Sequence, residues 1–495
     1  MPSRPRPSTR PRTRPDARRV GALAAAGAFA FGSLAVANTL AGNQADARQP
    51  APIGQLLGGQ ELQGKAALGR VQSRLAEVAE QNQLPTDHLR EILATDKTAW
   101  LDQGGRLFYR EPVATAAEQK AGAAASPRWA KTAVAAATGP AFELHSKPGS
   151  NRVIYLDFTG HTITGTAWNA NGKPATVNVT PYDTDGNTSN WSTAEQDVVR
   201  DVWARVAEDY AAFDVDVTTQ EPAAAAIDRS GSTDQQYGTR VLIDPTTWYQ
   251  SGCGCGGVAY VGVYDSTSRH AYYQPALVFT KGVGTGAKNI AEAASHEAGH
   301  NIGLSHDGTS SVGYYAGHGA WAPIMGVGYS KAISQWSKGE YANASNKEDD
   351  FVVGGQNGLA LRADDHGNAT SSATALTLGT SVNGVYASDS DVDVFRIDLA
   401  AGTFTFAASA APSGANLDIK LQLLNSAGTV VATADPAAGQ TNSATPTGLS
   451  ASLIRQVTAG RYYLRVDNTG YGDPLNTGYS TYGSRGAYSV RVTAG

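Results

Sequence analysis

The twelve residues 296–307, HEAGHNIGLSHD, constrain this chain more than any other segment. His296 and His300 are four residues apart, so on an α-helix both imidazoles project from one face and can chelate one Zn²⁺ ion. Gly303 can adopt the positive φ that ends a helix abruptly, and the chain can then turn back so that His306 supplies a third nitrogen. Three neutral imidazoles leave the fourth position of a tetrahedral ion for water.

Glu297 follows the first of these histidines directly. A zinc site that only holds a fold usually closes with a fourth protein ligand, and it needs no acid beside it. A catalytic site does need such an acid, because a carboxylate can take the proton of the metal-activated water. The sequence therefore predicts a catalytic zinc site with Glu297 as the general base.

Residues 296–307 resemble the zinc signature of the metzincin metallopeptidases, and Asp307 makes the segment most similar to the reprolysin-like (adamalysin) branch. That family has a methionine turn beneath the metal. Met325, 19 residues after His306, is the only methionine after the initiator. The resemblance implies that Met325 packs under the ligands. It also implies that the reaction is hydrolysis of peptide bonds in proteins, in which Glu297 passes the proton of the attacking water to the leaving amine.

Residues 256–263 resemble the edge strand that lines the cleft of this family and pairs with an extended substrate. By itself the segment is only a strand with glycines at its ends. The residues expected to contact substrate are Gly257, Val258, Ala259, Tyr260 and Val261. The whole resemblance implies an α/β metzincin-like catalytic domain, with a mixed sheet plus helices, over residues 141–361.

The N-terminus predicts export. Seven arginines up to Arg19 precede an uncharged run, residues 20–37, that ends in a small-x-small pattern, so residues 1–37 are predicted as a cleaved signal peptide of a secreted, extracellular protein. A membrane anchor is the alternative, since the run just reaches spanning length, but its alanines and glycines are weakly hydrophobic. The rest of the chain is more acidic than the net charge of -5 indicates, which argues against nucleic acid as a partner.

Residues 38–140 are predicted as a small helical propeptide followed by a linker. Apolar residues at three- and four-residue spacing predict helices over 66–94, interrupted at Pro85, with a hairpin over 97–112 and an Ala-rich linker over 113–140. No cysteine precedes the catalytic domain, so a thiolate cannot mask the zinc. If the propeptide blocks the metal directly, the candidates are Asp96, Asp102 and His88.

Residues 369–495 alternate apolar and polar residues throughout, which predicts an all-β sandwich or jelly roll. The segment is similar to the bacterial pre-peptidase C-terminal domain, a family that appears on secreted peptidases. The resemblance suggests that Asp391 and Asp393 contribute to a calcium site. As residues at a strand end, they would otherwise simply be solvated.

Two other functional classes remain open. The chain could be a secreted adhesin or matrix-binding protein with a vestigial metal site, or a zinc amidase acting on non-peptide amides. The intact Glu297 argues against the first, because a vestigial site needs no acid beside its ligands, and the edge strand argues against the second, because it fits an extended polypeptide. We expect a monomer that acts on protein or peptide substrates, with no stable membrane partner.

Overall fold

The computed structural model describes residues 52–125, 140–170 and 172–495. The predicted signal peptide and half of the predicted linker, residues 126–139, lie outside these residues. None of the helices in the described residues is long and apolar enough to cross a membrane. Below, residues 52–125 are called the N-terminal region, residues 140–361 the central domain and residues 369–495 the C-terminal domain.

The N-terminal region contains both helices and strands. They are α1 (Ile53–Leu56), β1 (Leu62–Gln63), α2 (Gly64–Val71), α3 (Leu75–Gln81), α4 (Thr86–Thr95), β2 (Ala99–Leu101), β3 (Leu107–Pro112) and α5 (Ala116–Ala125). The predicted break at Pro85 is present, since α3 ends at Gln81 and α4 begins at Thr86. The apolar faces of α2, α3 and α4 pack on β2 and β3 in a core of their own, which Val261 of the central domain joins.

The predicted hairpin over 97–112 is present as β2 and β3, which pair antiparallel. Together with β1, these strands also continue the sheet of the central domain. The expectation of a bare linker directly after β3 was wrong, because α5 packs on the central domain. Asn289 donates to the carbonyl of Glu118 (3.2 Å), and Gln119 donates to the carbonyl of Gly282 (3.0 Å).

The central domain is built on a mixed sheet with helices, as expected. Its elements are β4 (Arg152–Asp157), β5 (His161–Thr164), β6 (Thr176–Val179), α6 (Thr193–Asp209), β7 (Asp216–Thr218), α7 (Ala224–Ile227), β8 (Tyr237–Asp244), α8 (Gln250–Cys253), β9 (Cys255–Tyr260), β10 (Ala276–Phe279), α9 (Thr280–Val283), α10 (Ala287–Asn301), β11 (Trp321–Pro323), β12 (Ile333–Gln335) and α11 (Asp350–Gln356). The capping box of Ser192 and Glu195 begins α6. A disulfide joins Cys253 to Cys255.

One eight-stranded sheet runs through both regions, in the order β1-β2-β3-β9-β10-β8-β4-β7. Strands β10, β8, β4 and β7 are parallel to one another, whereas β9 is antiparallel to β10 and β3 is antiparallel to β9. Helices α6 and α10 pack together over this sheet in the main core. The predicted cleft strand, β9, is therefore paired on both sides in this structure.

The C-terminal domain is a sandwich of two sheets that share one core. Its strands are β13 (Thr374–Ala375), β14 (Ser381–Tyr386), β15 (Asp393–Leu399), β16 (Gly402–Ala410), β17 (Ile419–Leu424), β18 (Val430–Ala434), β19 (Gly439–Asn442), β20 (Thr445–Thr447), β21 (Ala451–Val457), β22 (Gly460–Asn468) and β23 (Gly486–Ala494). Five strands form one sheet, β13-β15-β22-β17-β18, and four form the other, β14-β23-β16-β21.

The C-terminal domain shares buried polar contacts with the central domain. The carboxylate of Glu208, in α6, accepts the backbone N–H of Ala487 (3.0 Å), and Asp209 accepts from the amide of Asn416 (2.8 Å). Gln335 donates to the carbonyl of Asn416 (2.6 Å). The two domains thus differ in their sequence patterns, but the buried carboxylates of Glu208 and Asp209 in α6 accept hydrogen bonds from the C-terminal domain.

Candidate metal and catalytic site

Helix α10 carries the first two predicted ligands and buries them. His296 and His300 lie on the same face, because the helix returns to that face after four residues. Each ring is held by a carbonyl of the central domain: Nδ1 of His296 lies 2.9 Å from the oxygen of Ile324, and Nδ1 of His300 lies 2.8 Å from that of Leu304. A carbonyl can only accept, so both Nδ1 atoms carry the proton and both Nε2 atoms offer a lone pair.

Gly303 ends this helix and redirects the chain, as predicted. Its φ is +97°, and its backbone N–H donates to the carbonyl of His300 (2.9 Å), while that of Leu304 donates to the carbonyl of Gly299 (3.1 Å). A Cβ at Gly303 would lie 2.7 Å from Nδ2 of Asn357, so a side chain there would be both strained and crowded. This turn returns His306 to the two helical histidines, with Nε2 of His306 only 3.1 Å from Nε2 of His300.

The site has the chemistry of a cation site. The lone pairs of His296 and His300 point toward one another and toward a carboxylate, and Nε2 of His296 has no hydrogen-bond partner. Such an arrangement of buried lone pairs is unfavourable unless a positive charge lies among them. Three imidazole nitrogens in this arrangement fit Zn²⁺, which prefers nitrogen and sulfur ligands.

Glu297 lies beside these rings, with its carboxylate fully buried and neither oxygen hydrogen-bonded. It faces the backbone of Gly257 in β9. A Cβ at Gly257 would lie 2.7 Å from Cδ of Glu297, and closer still to Oε1, so only glycine leaves room for this carboxylate. A buried acid left without protein partners next to a metal site is placed to bind a water or a substrate.

Met325 lies where the methionine turn was expected. It is fully buried, and its backbone carbonyl accepts from Asp307 (2.8 Å). A Cβ at Gly299, between the two helical histidines, would lie 2.5 Å from Sδ of Met325, so the thioether packs directly against α10 beneath the site.

A fourth group, which the sequence reasoning missed, completes the cluster: Glu111, from β3 of the N-terminal region. Its Oε1 lies 3.1 Å from Nε2 of His306 and 3.3 Å from Nε2 of His300, and its Oε2 lies 3.5 Å from Nε2 of His296. Tyr314 donates its hydroxyl to Oε2. The signal that could have identified Glu111 is alternation, because an acid at position 111 shares the buried face of its strand with Leu107 and Tyr109.

None of the three candidate blocking residues lies among the three Nε2 atoms. Asp96 instead accepts from Nδ1 of His306 (2.6 Å), so it contacts the far side of that ring. Asp102 accepts the backbone N–H groups of the β2–β3 turn, and His88 contacts Ser305 (3.2 Å). The expectation that one of these three would occupy the metal position was therefore wrong.

Charges in the cluster shift several pKa values. Burial works to raise the pKa of Glu111, but His306 and His296 outweigh it and hold that pKa well below its usual range. Burial opposes the charged form of His306, yet Glu111 and Asp96 raise its pKa to about 10. Burial and the charge of Glu111 together raise the pKa of Glu297 well above the usual value.

The predicted substrate strand is present but occupied. Gly257, Val258, Ala259 and Tyr260 lie in β9, which spans Cys255–Tyr260 rather than continuing to residue 263, and Val261 follows it directly. β3 pairs along the side of β9 that does not face β10, and the N–H of Val261 donates to the carbonyl of Leu107 (3.0 Å). A small cavity of about 20 Å³ remains beside the site.

Asp391 and Asp393, the predicted calcium residues, lie together at the start of β15. With Asp364 they form a group whose ligand atoms are all within 4.8 Å of one another. Oδ1 of Asp391 and Oδ1 of Asp393 are buried without a hydrogen-bond partner. Burial and the neighbouring acids raise the pKa of Asp391 to about 6 and that of Asp393 to about 8.

The fold and the histidine site define a metallopeptidase domain, and the family comparison agrees. Residues 178–307 match the model of the reprolysin-like metallopeptidases, family M12B, and residues 391–468 match that of the bacterial pre-peptidase C-terminal domain. The chain therefore carries a reprolysin-like zinc metalloendopeptidase domain followed by a pre-peptidase C-terminal domain. A search of the curated proteins found no match.

Similar solved structures cover about a quarter of this chain. The pre-peptidase C-terminal domain of a collagenase from Bacillus anthracis is 16% identical, with 26% of this chain and 97% of that chain covered and a TM-score of 0.18. A periplasmic inhibitor of g-type lysozyme from Aeromonas hydrophila, PliG, is 10% identical, with 24% and 93% covered and a TM-score of 0.17. CBM35 of Abf62 from Cellvibrio japonicus is 17% identical, with 27% and 84% covered and a TM-score of 0.13.

Proposed function

We propose that the chain is a secreted zinc endopeptidase, made with an N-terminal propeptide, and that it hydrolyses peptide bonds in proteins with Glu297 as general base. The observation that carries this proposal is the buried Glu297, whose two oxygens have no protein partner beside three converging imidazoles. A structural site has no use for such an acid.

His296, His300 and His306 would hold the zinc. When bound, the ion lowers the pKa of a water molecule and polarises the scissile carbonyl. Glu297 takes the proton of the attacking water and delivers it to the leaving amine. The carbonyls of Ile324 and Leu304 fix the rings of His296 and His300, which keeps their nitrogens in place throughout.

Strand β9 supports a polypeptide as the substrate. Its outer side pairs with an extended segment of this chain, so it can offer the same backbone donors and acceptors to a substrate strand once that segment leaves. This argues against the amidase alternative. The adhesin alternative is disfavoured by the same Glu297 that carries the proposal. Export rests on the sequence of residues 1–37 and on the pre-peptidase C-terminal domain, which is typical of secreted bacterial proteases.

The test uses the chain cut between residues 126 and 139, through an engineered cleavage site, and a denatured protein as substrate. Glu297→Gln should keep its zinc and lose at least about a hundredfold in rate, because the amide keeps the shape but cannot act as the base. Glu143→Gln, an exposed acid of the central domain, is the matched control and should retain wild-type activity. Zinc-loaded Glu297→Gln with near-normal turnover would disprove the role.

We also propose a calcium site at Asp391 and Asp393, supported by their buried, unpartnered Oδ1 atoms. Calcium should raise the melting temperature of the Glu297→Gln chain, which cannot digest itself, and Asp393→Asn should abolish that shift. An equal calcium shift in both proteins would contradict the assignment.

A further inference from the structure

Strand β3 of the N-terminal region lies along β9, and its pairing changes register at Glu111. Phe108, Tyr109 and Arg110 pair in one register, and Pro112 pairs in a register shifted by one residue. As a result, two glycines of β9, residues 256 and 257, lie opposite the single residue Glu111. The extra residue therefore lies in β9, and Glu111 keeps the buried face of β3 that it shares with Leu107 and Tyr109.

The carboxylate of Glu111 reaches all three predicted zinc ligands. It is the one propeptide acid, among the described residues, that approaches the three Nε2 atoms together, at 3.1 to 3.5 Å. Three nitrogens and one carboxylate oxygen make a closed tetrahedral set, whereas a catalytic zinc site keeps one position open for water. We infer that Glu111 is the fourth zinc ligand of the uncut chain and keeps the proposed peptidase latent by occupying the position of the catalytic water.

Other contacts of the propeptide hold this ligand and its metal partners in place. Asp96 accepts a hydrogen bond from Nδ1 of His306. His306 is the one predicted ligand whose Nδ1 does not contact a backbone carbonyl in the described part of the central domain, so its ring is held by the propeptide instead. The ring of Tyr109 stacks on His300, with the centroids 4.4 Å apart. Tyr314 donates to the carboxylate of Glu111 from the central domain. Through Asp96 and Tyr109 the propeptide thus contacts two of the three histidines, and the central domain in turn contacts Glu111.

The covalent connection makes this ligand effective. While the chain is intact, Glu111 competes with water and substrate as an intramolecular group, at an effective concentration far above that of a free carboxylate. A cut between residues 126 and 139 would end that advantage, and departure of β3 would free β9 and the zinc together. A cysteine cannot play this part, because the only two cysteines are joined to each other.

This inference rests on the proposed function, so the first test does not measure activity. It uses the uncut chain in a Glu297→Gln background and follows the rate at which a chelator removes zinc. Glu111→Gln should lose zinc at least about tenfold faster than its parent, in line with the loss caused by removing a group that supports a metal. Glu91→Gln, an exposed acid on α4, is the matched control and should leave the rate unchanged.

The second test measures latency with Glu297 intact. Uncut wild-type and Glu91→Gln chains should not cleave a fluorogenic peptide, whereas uncut Glu111→Gln should cleave it or cut itself. If Glu111→Gln does not fold, as judged by circular dichroism, Glu111→Asp replaces it, since that carboxylate is one methylene too short to reach all three rings. Uncut Glu111→Asp should lose zinc faster than its parent and should cleave the fluorogenic peptide.

If the folded variant loses zinc at the rate of its parent and is fully latent, the inference is wrong. The pairing of β3 with β9 would then be the only feature that keeps substrate from the site. Failure of the proposed function would look different. A cut wild-type chain that holds zinc but hydrolyses no peptide would refute the peptidase, while the chelator test would still decide the role of Glu111.

Discussion

Gly257→Ala should inactivate the proposed peptidase without removing its zinc. The added Cβ would lie 2.7 Å from Cδ of Glu297 and 3.0 Å from the backbone oxygen of Leu277, with Oε1 of Glu297 closer still. The oxygen of Leu277 belongs to the neighbouring strand β10 and cannot give way. The whole adjustment must therefore come from Glu297, which is fully buried and cannot swing out to solvent.

The size of the effect follows from this geometry. Ordinary contact to a Cβ begins near 3.4 Å, whereas Oε1 of Glu297 would lie 1.8 Å away, so this oxygen must move by about 1.6 Å or the side chain must change rotamer. A displacement of about 1 Å in a reacting group costs on the order of a hundredfold in rate. The full loss of a general base costs about 10² to 10⁴. We expect a fall of about a hundredfold in kcat, with wild-type zinc content, because the substitution touches none of the three histidines.

The assay compares cut, zinc-loaded proteins on one fluorogenic peptide, with metal content measured on the same samples. Gly252→Ala, in the adjacent α8, is the matched control, since a Cβ there meets nothing within 4 Å. It should retain activity within about twofold. Gly257→Ala with full zinc and a kcat within threefold of wild type would refute the placement of Glu297 as the base.

Two further predictions concern the metal and stability. His306→Ala should abolish tight zinc binding, as measured by elemental analysis of the folded Glu297→Gln chain; full occupancy would contradict the ligand assignment. Burial raises the pKa of Glu208 to about 8, so between about pH 4.5 and pH 8 the folded state binds more protons than the unfolded state. The free energy of unfolding should therefore fall as the pH rises through this range, by up to about 1.4 kcal/mol per unit for one proton. Glu208→Gln should reduce that slope in urea titrations, and an unchanged slope would contradict the assignment.

The elements that the sequence predicted well are those with a local signal. Pro85 marks the break between α3 and α4, and Gly303 marks the end of α10. Period-two alternation likewise predicted the strands of the C-terminal domain. In each case the residues that determine the element lie within a few positions of one another, so no knowledge of tertiary contacts was needed.

The missed elements depend on distant partners. Helix α5 has no apolar stripe because it packs through small residues: a Cβ at Gly122 would lie 2.8 Å from Cγ of Asn289. A composition rich in alanine is typical of a linker as well as of such a helix, and only the partner surface distinguishes them. The strands of the N-terminal region were predicted as a hairpin, but their pairing with β9 joins residues about 150 positions apart.

The boundary predicted between residues 361 and 369 marks a change in sequence pattern, but the two domains do not separate there energetically. The switch from mixed α/β patterning to alternation is abrupt, and it coincides with the start of the C-terminal domain. However, Glu208 is buried against the backbone of Ala487, and Ala387 and Tyr482 of the C-terminal domain belong to the main core. Removing that domain would leave a carboxylate and apolar surface of α6 without partners, which is costly. Helix α6 packs on α10, which carries two of the three histidines. The C-terminal domain therefore supports the helix behind the metal site, and the central domain should not be treated as an independent folding unit.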